Sequence, residues 1–379
     1  MEREYQICTR CVMDTSDPEI TFDENGICNH CIQFDEETKS NWFPNSEGAK
    51  KLDAILDRIK EEGKDQEYDC IMGLSGGVDS SYLALKVYEW GLRPLVMHVD
   101  AGWNSELAVA NIETIVKYCN YDLHTHVVDW EDMRALQLSL LRAAVANQDV
   151  PQDHIFFSSL YHYAIKNGIR FIINGGNIAT ESIFPQAWHG SAMDSINLRA
   201  IHKRYGTEKL KSYKTISFFK LYFWYPIIRR LRTLRPLDYM EYNREGAIVE
   251  LEKIGWRSYG LKHGESIFTK FFQNYYLPTK FGYDKRRPHF SSMIASGQMS
   301  REEALEQLKL SLYESNELET DILYFCKKLQ INRSEFMEFL TLPAHHYSEF
   351  PNWDKRYQSI KKVQRVISHI TGKRLNIYS

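Results

Sequence analysis

Residues 75–80 (Ser-Gly-Gly-Val-Asp-Ser) combine glycines, hydroxyls and one carboxylate in a pattern that suits the binding of a phosphate group. Gly76 and Gly77 let the backbone approach an anion and direct N–H groups at it. The hydroxyls of Ser75 and Ser80 and the positive end of the following helix would add to this binding. A Walker loop would need a lysine after its last glycine, and a dinucleotide fold would need a third glycine. Neither pattern is present, so we expect a phosphate site of another kind.

The residues on either side of this loop predict the elements that position it. Residues 70–74 form a short apolar run, as in a buried strand, and residues 78–90 carry apolar side chains at helical spacing before Gly91 ends the helix. Strands and helices then alternate, which predicts an α/β fold with a doubly wound parallel sheet. A capping box at Ser300 and Glu303 opens a helical C-terminal region. The other predicted elements are a helix at 47–62, strands at 94–99, 124–128 and Phe171–Ile173, and helices at 105–119, 131–146 and 155–166.

Polar residues follow the ends of two of these strands. Ligands of such sheets bind beyond the carboxyl ends of the strands, so these residues are site candidates. Asp100 closes the second strand and has two interpretations, a nucleotide-binding residue or an ordinary turn aspartate. The last strand leads into a second glycine pair with an amide, a hydroxyl and a carboxylate, represented by Gly175, Asn177, Thr180 and Glu181. We expect both groups to face the glycine loop.

Four cysteines near the start of the chain have the spacing of a structural zinc site. Cys8, Cys11, Cys28 and Cys31 form two C-x2-C pairs separated by sixteen residues. Each pair makes a tight turn that points two sulfurs at a tetrahedral ion, and two pairs leave no open position for water. A hairpin turn predicted at 23–26 returns the second pair to the first. Free or disulfide-paired cysteines are the alternative.

The composition limits the partners and the compartment that we expect for this protein. The chain has 379 residues with 47 Lys and Arg against 50 Asp and Glu, so its net charge of −3 does not favour nucleic acid as a partner. Seven cysteines, four at metal spacing, favour a reducing compartment, and residues 1–5 do not resemble a signal peptide, so we expect a cytoplasmic protein. We divide the chain into a zinc knuckle (1–46), a nucleotide domain (47–190), a substrate-binding or insertion region (191–300) and a helical C-terminal region (301–379).

A basic and aromatic segment at 203–235 has three open interpretations. It holds ten Lys or Arg and one acid, Glu208, interleaved with aromatic residues. Its apolar stretch is too short to span a bilayer. It fits a partly buried helical insertion with solvated arginines, a peripheral membrane-interface element, or an RNA-binding surface with stacked aromatic rings.

Taken together, the glycine loop, the cysteine pairs and a cationic, aromatic stretch at 260–287 resemble a known family. The loop is similar to the PP-loop of the N-type ATP pyrophosphatases, and the stretch is similar to the N-acetyl sugar amidotransferases of lipopolysaccharide O-antigen biosynthesis. The resemblance runs from Cys8 to about Leu305 and is weakest at 207–235 and beyond Tyr313. It implies an enzyme that uses ATP to adenylate the acetamido oxygen of a nucleotide-linked N-acetyl sugar. Ammonia then replaces that oxygen to give an acetamidino group, with release of AMP and pyrophosphate.

The resemblance also implies roles for individual residues. Mg²⁺ on ATP takes one or two carboxylates, for which Asp79 and Glu181 are the candidates, and a lysine would neutralise charge on the leaving pyrophosphate. The predicted catalytic residues are Asp79, Lys280 and Lys285. The predicted ATP-binding residues are Ser75, Gly76, Gly77, Val78, Asp79, Ser80, Asp100, Gly175, Asn177, Thr180 and Glu181. The predicted substrate-binding residues are Lys262, His263, Glu265, Arg286 and Arg287.

No residue is placed to release ammonia from glutamine. Glu2 follows Met1, whereas one glutaminase class needs an N-terminal cysteine, and Cys70, Cys119 and Cys326 lie outside any strand-to-helix elbow. The family resemblance implies a separate glutaminase subunit and an ammonia-channel subunit. The alternatives are a tRNA-modifying PP-loop ATP pyrophosphatase of the thiolase or lysidine type, and a scaffold without activity. Thiolation needs a cysteine near the nucleotide, and the intact loop argues against a scaffold.

Overall fold

A parallel sheet of five strands runs through the protein. The structure is a computed structural model that describes residues 3–259 and 264–371. All neighbouring strands pair in parallel, in the order β3-β2-β1-β4-β5. The predicted α/β class with a doubly wound parallel sheet is therefore confirmed. The strands are β1 (Cys70–Gly73), β2 (Pro94–Asp100), β3 (Leu123–Val127), β4 (Phe171–Ile173) and β5 (Arg232–Leu234).

Each helix that was predicted with its bounds is present, and some of these helices differ from the prediction at their ends. The helix predicted at 131–146 ends at Ala143, because Ala144 takes a left-handed conformation with φ of 49°. The helix predicted from residue 155 begins at Val150, since Pro151 is tolerated in a first turn. The α-helices of the described residues are α1 (Asn29–Gln33), α2 (Ser46–Gly63), α3 (Val78–Glu89), α4 (Glu106–Cys119), α5 (Trp130–Ala143), α6 (Val150–Lys166), α7 (Ile178–Glu181), α8 (Ser195–Tyr205), α9 (Arg244–Glu252), α10 (Ile267–Phe271), α11 (Leu277–Phe281), α12 (Arg286–Ala295), α13 (Arg301–Leu308), α14 (Ser315–Leu329), α15 (Arg333–Thr341) and α16 (Asp354–Thr371).

Alternate strand residues enter two cores, one on each face of the sheet. Ile71 and Met97 pack with α5, α6 and α8 on one face. Met72 and Val96 pack with α2, α3, α4 and α9 on the other. This alternation is the period of two that a strand imposes on its side chains. Both faces are covered, as a parallel sheet requires.

The helical C-terminal region has an aromatic core of its own. Phe268, Phe271, Phe325 and Phe336 pack together, and Trp103 from the loop after β2 joins them. The predicted capping box is present at the start of α13. Trp103 thus ties the C-terminal helices to the carboxyl edge of the sheet, next to the glycine loop.

The fifth strand comes from a segment in which the sequence predicted none. β5 pairs with β4, with Thr233 opposite Ile172. It has three residues and begins with an arginine, so it shows no alternation of apolar and polar residues. The sheet therefore takes one strand from beyond residue 190, and the four domain boundaries stay a prediction. Within the described residues, no helix has both the length and the apolar character needed to cross a membrane.

Candidate active site and metal centre

The glycine loop joins β1 to the first turn of α3. Gly76 has φ of +83°, and a Cβ there would lie 2.6 Å from the carbonyl oxygen of Ala108, so only glycine fits. The hydroxyl oxygens of Ser75 and Ser80 are 3.1 Å apart, and the Gly77 N–H donates to Ser75 Oγ at 3.2 Å. Two hydroxyls thus lie side by side at the positive end of a helix, which is an arrangement that binds anions.

Residues far along the chain close over this loop. The Trp256 indole N–H and the Tyr259 hydroxyl both donate to the Gly76 carbonyl oxygen at 3.0 Å. A Cβ on Gly77 would lie 2.9 Å from Glu265 Oε1. The Glu265 carbonyl accepts from the Ser105 N–H at 2.9 Å, beyond the end of β2. Of the predicted substrate-binding residues, Glu265 therefore lies at the loop, while Lys262 and His263 lie outside the described residues.

Asp79 in the first turn of α3 connects the two glycine loops. The Tyr242 hydroxyl donates to Asp79 Oδ1. Burial first, and the Asp79 carboxylate next, raise the pKa of Tyr242, so its hydroxyl keeps the proton that it donates. A Cβ on Gly175 would lie 3.3 Å from the Asp79 carbonyl oxygen and 3.4 Å from the Ser80 nitrogen. The two predicted glycine loops therefore pack directly on each other.

One arginine that sequence reasoning missed, Arg235 after β5, contacts the second loop. Arg235 donates to the Gly176 carbonyl oxygen at 3.2 Å and pairs with Asp238 at 2.9 Å. The Asn177 side chain is buried and caps α7 through the Thr180 N–H at 2.9 Å. Glu181 is exposed, and a Cβ on Gly176 would lie 3.7 Å from its Oε2. Asn177 and Thr180 thus shape the loop, and Glu181 faces solvent beside it.

Asp100 takes part in the turn after β2. Its Oδ1 accepts from the Gly102 N–H at 2.8 Å and from the Asn104 amide at 3.2 Å. These contacts agree with the turn interpretation, and the nucleotide-binding role of Asp100 stays a prediction.

Two of the predicted cationic residues hold helix ends. Lys280 Nζ donates to three carbonyl oxygens at the C-terminal end of α15, those of Phe339, Leu340 and Leu342, at 2.6 to 3.2 Å. Arg286 pairs with Asp284 at 2.7 Å and donates to carbonyl oxygens at the end of α13. Cations at helix C-termini stabilise them. The structure brings neither side chain to the glycine loop.

Lys285 belongs to a buried polar cluster that the sequence prediction lacked. Its Nζ lies 2.8 Å from His189 Nε2. Burial, and then the charge of Lys285, hold the pKa of His189 well below its usual value, so the neutral ring accepts this hydrogen bond. Asp149 at the start of α6 is buried and accepts from the Thr269 hydroxyl at 3.1 Å. Because α6 leads back into β4, its first turn lies at the carboxyl edge of the sheet.

Asp153 completes this cluster one helical turn further on. Burial first, and then the charge of Asp149, raise the pKa of Asp153 to about 8, against the opposing effect of Lys285. Its carboxylate makes no hydrogen bond with other described residues. Thr269 bonds Ser266, the residue after Glu265, so the cluster adjoins the glycine loop. The sequence did not reveal this cluster, because Asp149 and Asp153 alone look like the acidic residues that commonly stabilise the first turn of a helix.

The four predicted cysteines form one buried cluster that can hold a metal ion. Their sulfur atoms all lie within 4.8 Å of one another, with 4.0 Å from Cys8 to Cys31 and 3.6 Å from Cys11 to Cys28. Contacts among the sulfurs, with Cys11 first, lower the pKa of Cys8 and raise that of Cys31. Four thiolates this close repel one another, so a cation is needed to keep all four deprotonated.

Helix α12 connects this cluster to the second glycine loop. On one side Arg287 donates to the Val12 carbonyl oxygen and pairs with Asp14, both next to the cysteines. On the other side His289 bonds the Thr180 carbonyl oxygen at 3.0 Å, and Ser296 donates to that of Ala179 at 2.8 Å. Arg287, predicted to bind substrate, therefore holds the cysteine knuckle in place.

Replacing one cysteine should remove the metal and loosen α7. We expect Cys11→Ser to purify with less than about half an equivalent of metal and a thermal midpoint lower by several degrees, because metal binding contributes folding free energy. Cys326→Ser, which changes a buried cysteine outside the cluster, should keep its metal. Elemental analysis and thermal unfolding measure both. Wild-type protein without metal and with four freely alkylated knuckle thiols would contradict the site.

The raised pKa of Asp153 predicts a pH-dependent stability. Between its usual value and about 8 the folded chain holds a proton that the unfolded chain has lost, so the free energy of unfolding falls as pH rises through this window. Asp153→Asn removes this term and should raise the thermal midpoint by a few degrees at about pH 8, and by less near pH 5. Asp53→Asn, on the exposed side of α2, should follow the wild type. An equal effect of Asp153→Asn at both pH values would refute the shift.

Comparison with known proteins gives a family match for one part of the chain. Residues 265–364 match the C-terminal domain of WbpG-like lipopolysaccharide biosynthesis proteins. None of the curated proteins matches significantly. Similar solved structures include an NH3-dependent NAD synthetase from Campylobacter jejuni (16% identity over 35% of this chain and 58% of that chain, TM-score 0.28). A second is a predicted tRNA methyltransferase subunit from Methanocaldococcus jannaschii (12% identity over 48% of this chain and 75% of that chain, TM-score 0.29). A third is an NMN synthetase from Francisella tularensis (14% identity over 71% of this chain and 98% of that chain, TM-score 0.36).

The chain thus spans little more than half of the first of these structures. The domain match begins at Glu265, the residue that lies against Gly77. It confirms the predicted resemblance to a lipopolysaccharide biosynthesis family. From residue 265 to residue 364, the chain is similar to the C-terminal domain of the WbpG-like proteins.

Proposed function

We propose that the protein is an ATP-dependent amidotransferase that converts the acetamido group of a nucleotide-linked N-acetyl sugar to an acetamidino group. One observation carries the proposal. The first residue of the WbpG-like domain, Glu265, lies at an anion-binding glycine loop whose sequence is that of a PP-loop. This contact supports the proposal because a segment similar to a lipopolysaccharide biosynthesis domain lies beside a loop that suits the phosphates of ATP. An ATP-using synthetase of surface polysaccharide assembly follows from the pair.

The proposed reaction has two steps, adenylation of the acetamido oxygen and its replacement by ammonia. The acetamido oxygen attacks the α-phosphorus of ATP, the bond to the bridging oxygen of the β-phosphate breaks, and pyrophosphate leaves. Ammonia then attacks the imidate carbon and loses a proton, and AMP departs with the former amide oxygen. Adenylation is needed because an amide oxygen is a poor leaving group. Binding both reactants in one orientation supplies much of the rate.

The loop residues bind and orient the phosphates in this scheme. The Ser75 and Ser80 hydroxyls, the Gly76 and Gly77 N–H groups and the start of α3 would hold the pyrophosphate part of ATP. Asp79 and Glu181 lie on the two loops that pack together, and they would hold Mg²⁺, which neutralises phosphate charge when bound. The Tyr242 hydroxyl fixes the Asp79 carboxylate in place.

The buried polar cluster is suited to the acceptor and to its protons. Of the two proposed catalytic lysines, Lys285 has the better placement, because Lys280 holds the end of α15. The ammonium group of Lys285 would neutralise charge on the adenylate, and the Asp149 carboxylate beside the protonated Asp153 would accept the proton that the attacking ammonia loses. His189 also lines a cavity of about 270 Å³ that would take part of the acceptor.

Zinc is the proposed ion of the cysteine cluster. Sulfur atoms around a tetrahedral ion at about 2.3 Å lie about 3.8 Å apart. The two measured sulfur separations, 3.6 and 4.0 Å, bracket this value. Four thiolates would fill the coordination sphere of such an ion, so it would be structural and take no part in the reaction.

Ammonia is proposed to come from separate glutaminase and channel subunits, in the cytoplasm. The remaining cysteines are poor nucleophiles, since burial raises the pKa of Cys119 to about 12 and that of Cys70 further. Cys326 is also buried. The same burial disfavours a thiolating enzyme, which needs a reactive cysteine beside the nucleotide.

Removing loop groups should abolish ATP cleavage without unfolding the protein. We expect Ser80→Ala and Asp79→Asn to lower AMP formation by about 10²-fold or more, because Ser80 would bind the leaving pyrophosphate and Asp79 the Mg²⁺ that neutralises its charge. Ser81→Ala is the matched control, since the buried Ser81 hydroxyl has no hydrogen-bond partner among described residues. It should keep wild-type activity. AMP is measured by chromatography, and unchanged turnover in both loop variants would refute the assignment.

Free ammonia should support the isolated protein. The protein is incubated with ATP, a panel of nucleotide sugars and ammonium chloride at high pH, where NH3 dominates. The mass of one sugar should fall by the difference between O and NH. Glutamine should replace ammonia only when partner subunits are added. Mass spectrometry and AMP release measure both outcomes. Equally efficient use of glutamine by the isolated protein would show that a nucleophile had been overlooked.

A further inference from the structure

The segment before β5 displays large apolar side chains to solvent. The π-helical turn Lys220–Ile228 buries Leu221, Tyr222 and Tyr225 against the core. Its outer side is also apolar, whereas the outer face of a surface helix is normally polar. We name this outer group the apolar patch: Phe219 (62% exposed), Phe223 (39%), Trp224 (42%), Ile227 (56%) and Ile228 (59%). Single exposed hydrophobic residues are common, but five within ten residues mark an interaction surface.

Cations surround the apolar patch. Residues 209–237 contain eight Lys or Arg and no acid. Lys220, Arg229 and Arg230 are exposed at the patch itself. Helix α16 packs on the same segment through Tyr357, whose ring centre lies 5.5 Å from that of Tyr222. It adds four exposed cations, Lys355, Arg356, Lys361 and Lys362.

We propose that the apolar patch and its cations dock the protein on an anionic membrane surface. In membrane-surface segments, aromatic and aliphatic side chains insert at the boundary of lipid headgroups and acyl chains. The Lys and Arg side chains that flank them contact anionic headgroups. RNA fits less well. The Phe219 and Phe223 rings stack on each other at 5.8 Å, so they shield faces that bases would use, and Ile227 and Ile228 cannot stack.

Docking in this way leaves the active site free. β5 runs parallel to β4, so the segment that precedes β5 lies at the amino edge of the sheet. The Arg229 guanidinium reaches the Ile165 carbonyl oxygen near the end of α6, at the same edge. The glycine loop lies at the opposite, carboxyl edge. A membrane-bound molecule would therefore present its nucleotide site toward the aqueous side.

The test compares two charge-matched double variants in vesicle flotation. Ile227→Asp with Ile228→Asp alters the patch, and Leu310→Asp with Leu323→Asp adds the same charge at aliphatic side chains of similar exposure, 59% and 56%. We expect wild type to float with vesicles of phosphatidylethanolamine and phosphatidylglycerol, less with phosphatidylcholine alone, and less in high salt. The patch variant should lose about tenfold or more of its partitioning, while the control keeps it.

AMP formation in solution should stay unchanged in both double variants, so failure of docking and failure of the proposed reaction can be told apart. Absence of wild-type binding to phosphatidylglycerol vesicles overturns the proposal, as does an equal loss of binding in the patch variant and the control. If vesicle binding is absent, binding of polyuridylate that depends on the patch would assign the patch to RNA instead. Self-association that depends on the patch would assign it to a second copy of the chain.

Discussion

The backbone at Gly76 sets the main constraint on this structure. Its positive φ brings the loop close to α4, and the turn leaves a carbonyl oxygen that strand and helix do not bond. An unsatisfied buried carbonyl costs about 1–3 kcal/mol. Trp256 and Tyr259 remove this cost with two hydrogen bonds. The residues that complete the glycine loop therefore lie about 180 residues further along the chain.

Helix α12 links the cysteine cluster, which can hold a metal ion, to the second glycine loop. It holds the cysteine knuckle through Arg287 and holds α7, with the second loop, through His289 and Ser296. Arg301 adds hydrogen bonds to the Cys8 and Cys11 carbonyl oxygens at 3.0 to 3.2 Å. The knuckle is thus a brace for the loop that carries Glu181.

Local chemistry was predictable from the sequence where a short motif sets both conformation and contacts. The glycine loop and the four cysteines are such cases, as are the strands whose apolar runs are long enough to read. β5 was missed because three residues starting with Arg232 cannot show a period. Asp153, Lys285 and His189 come together only in the folded chain, from α6, the start of α12 and the loop after α7. Lys280 and Arg287 have the right charge for phosphate, but tertiary contacts use them at a helix end and at the knuckle.

The long separation between Gly76 and its partners also affects how the protein is made. Trp256 lies 180 residues after Gly76, so at typical rates of synthesis it leaves the ribosome roughly 10–40 s later. During that interval α3 lacks the side chains of α9 and Trp256 that later cover Val78, Tyr82 and Leu85. The nascent chain therefore exposes an apolar face of α3 to solvent until its second half arrives, and this is the stage at which such a chain is prone to aggregate.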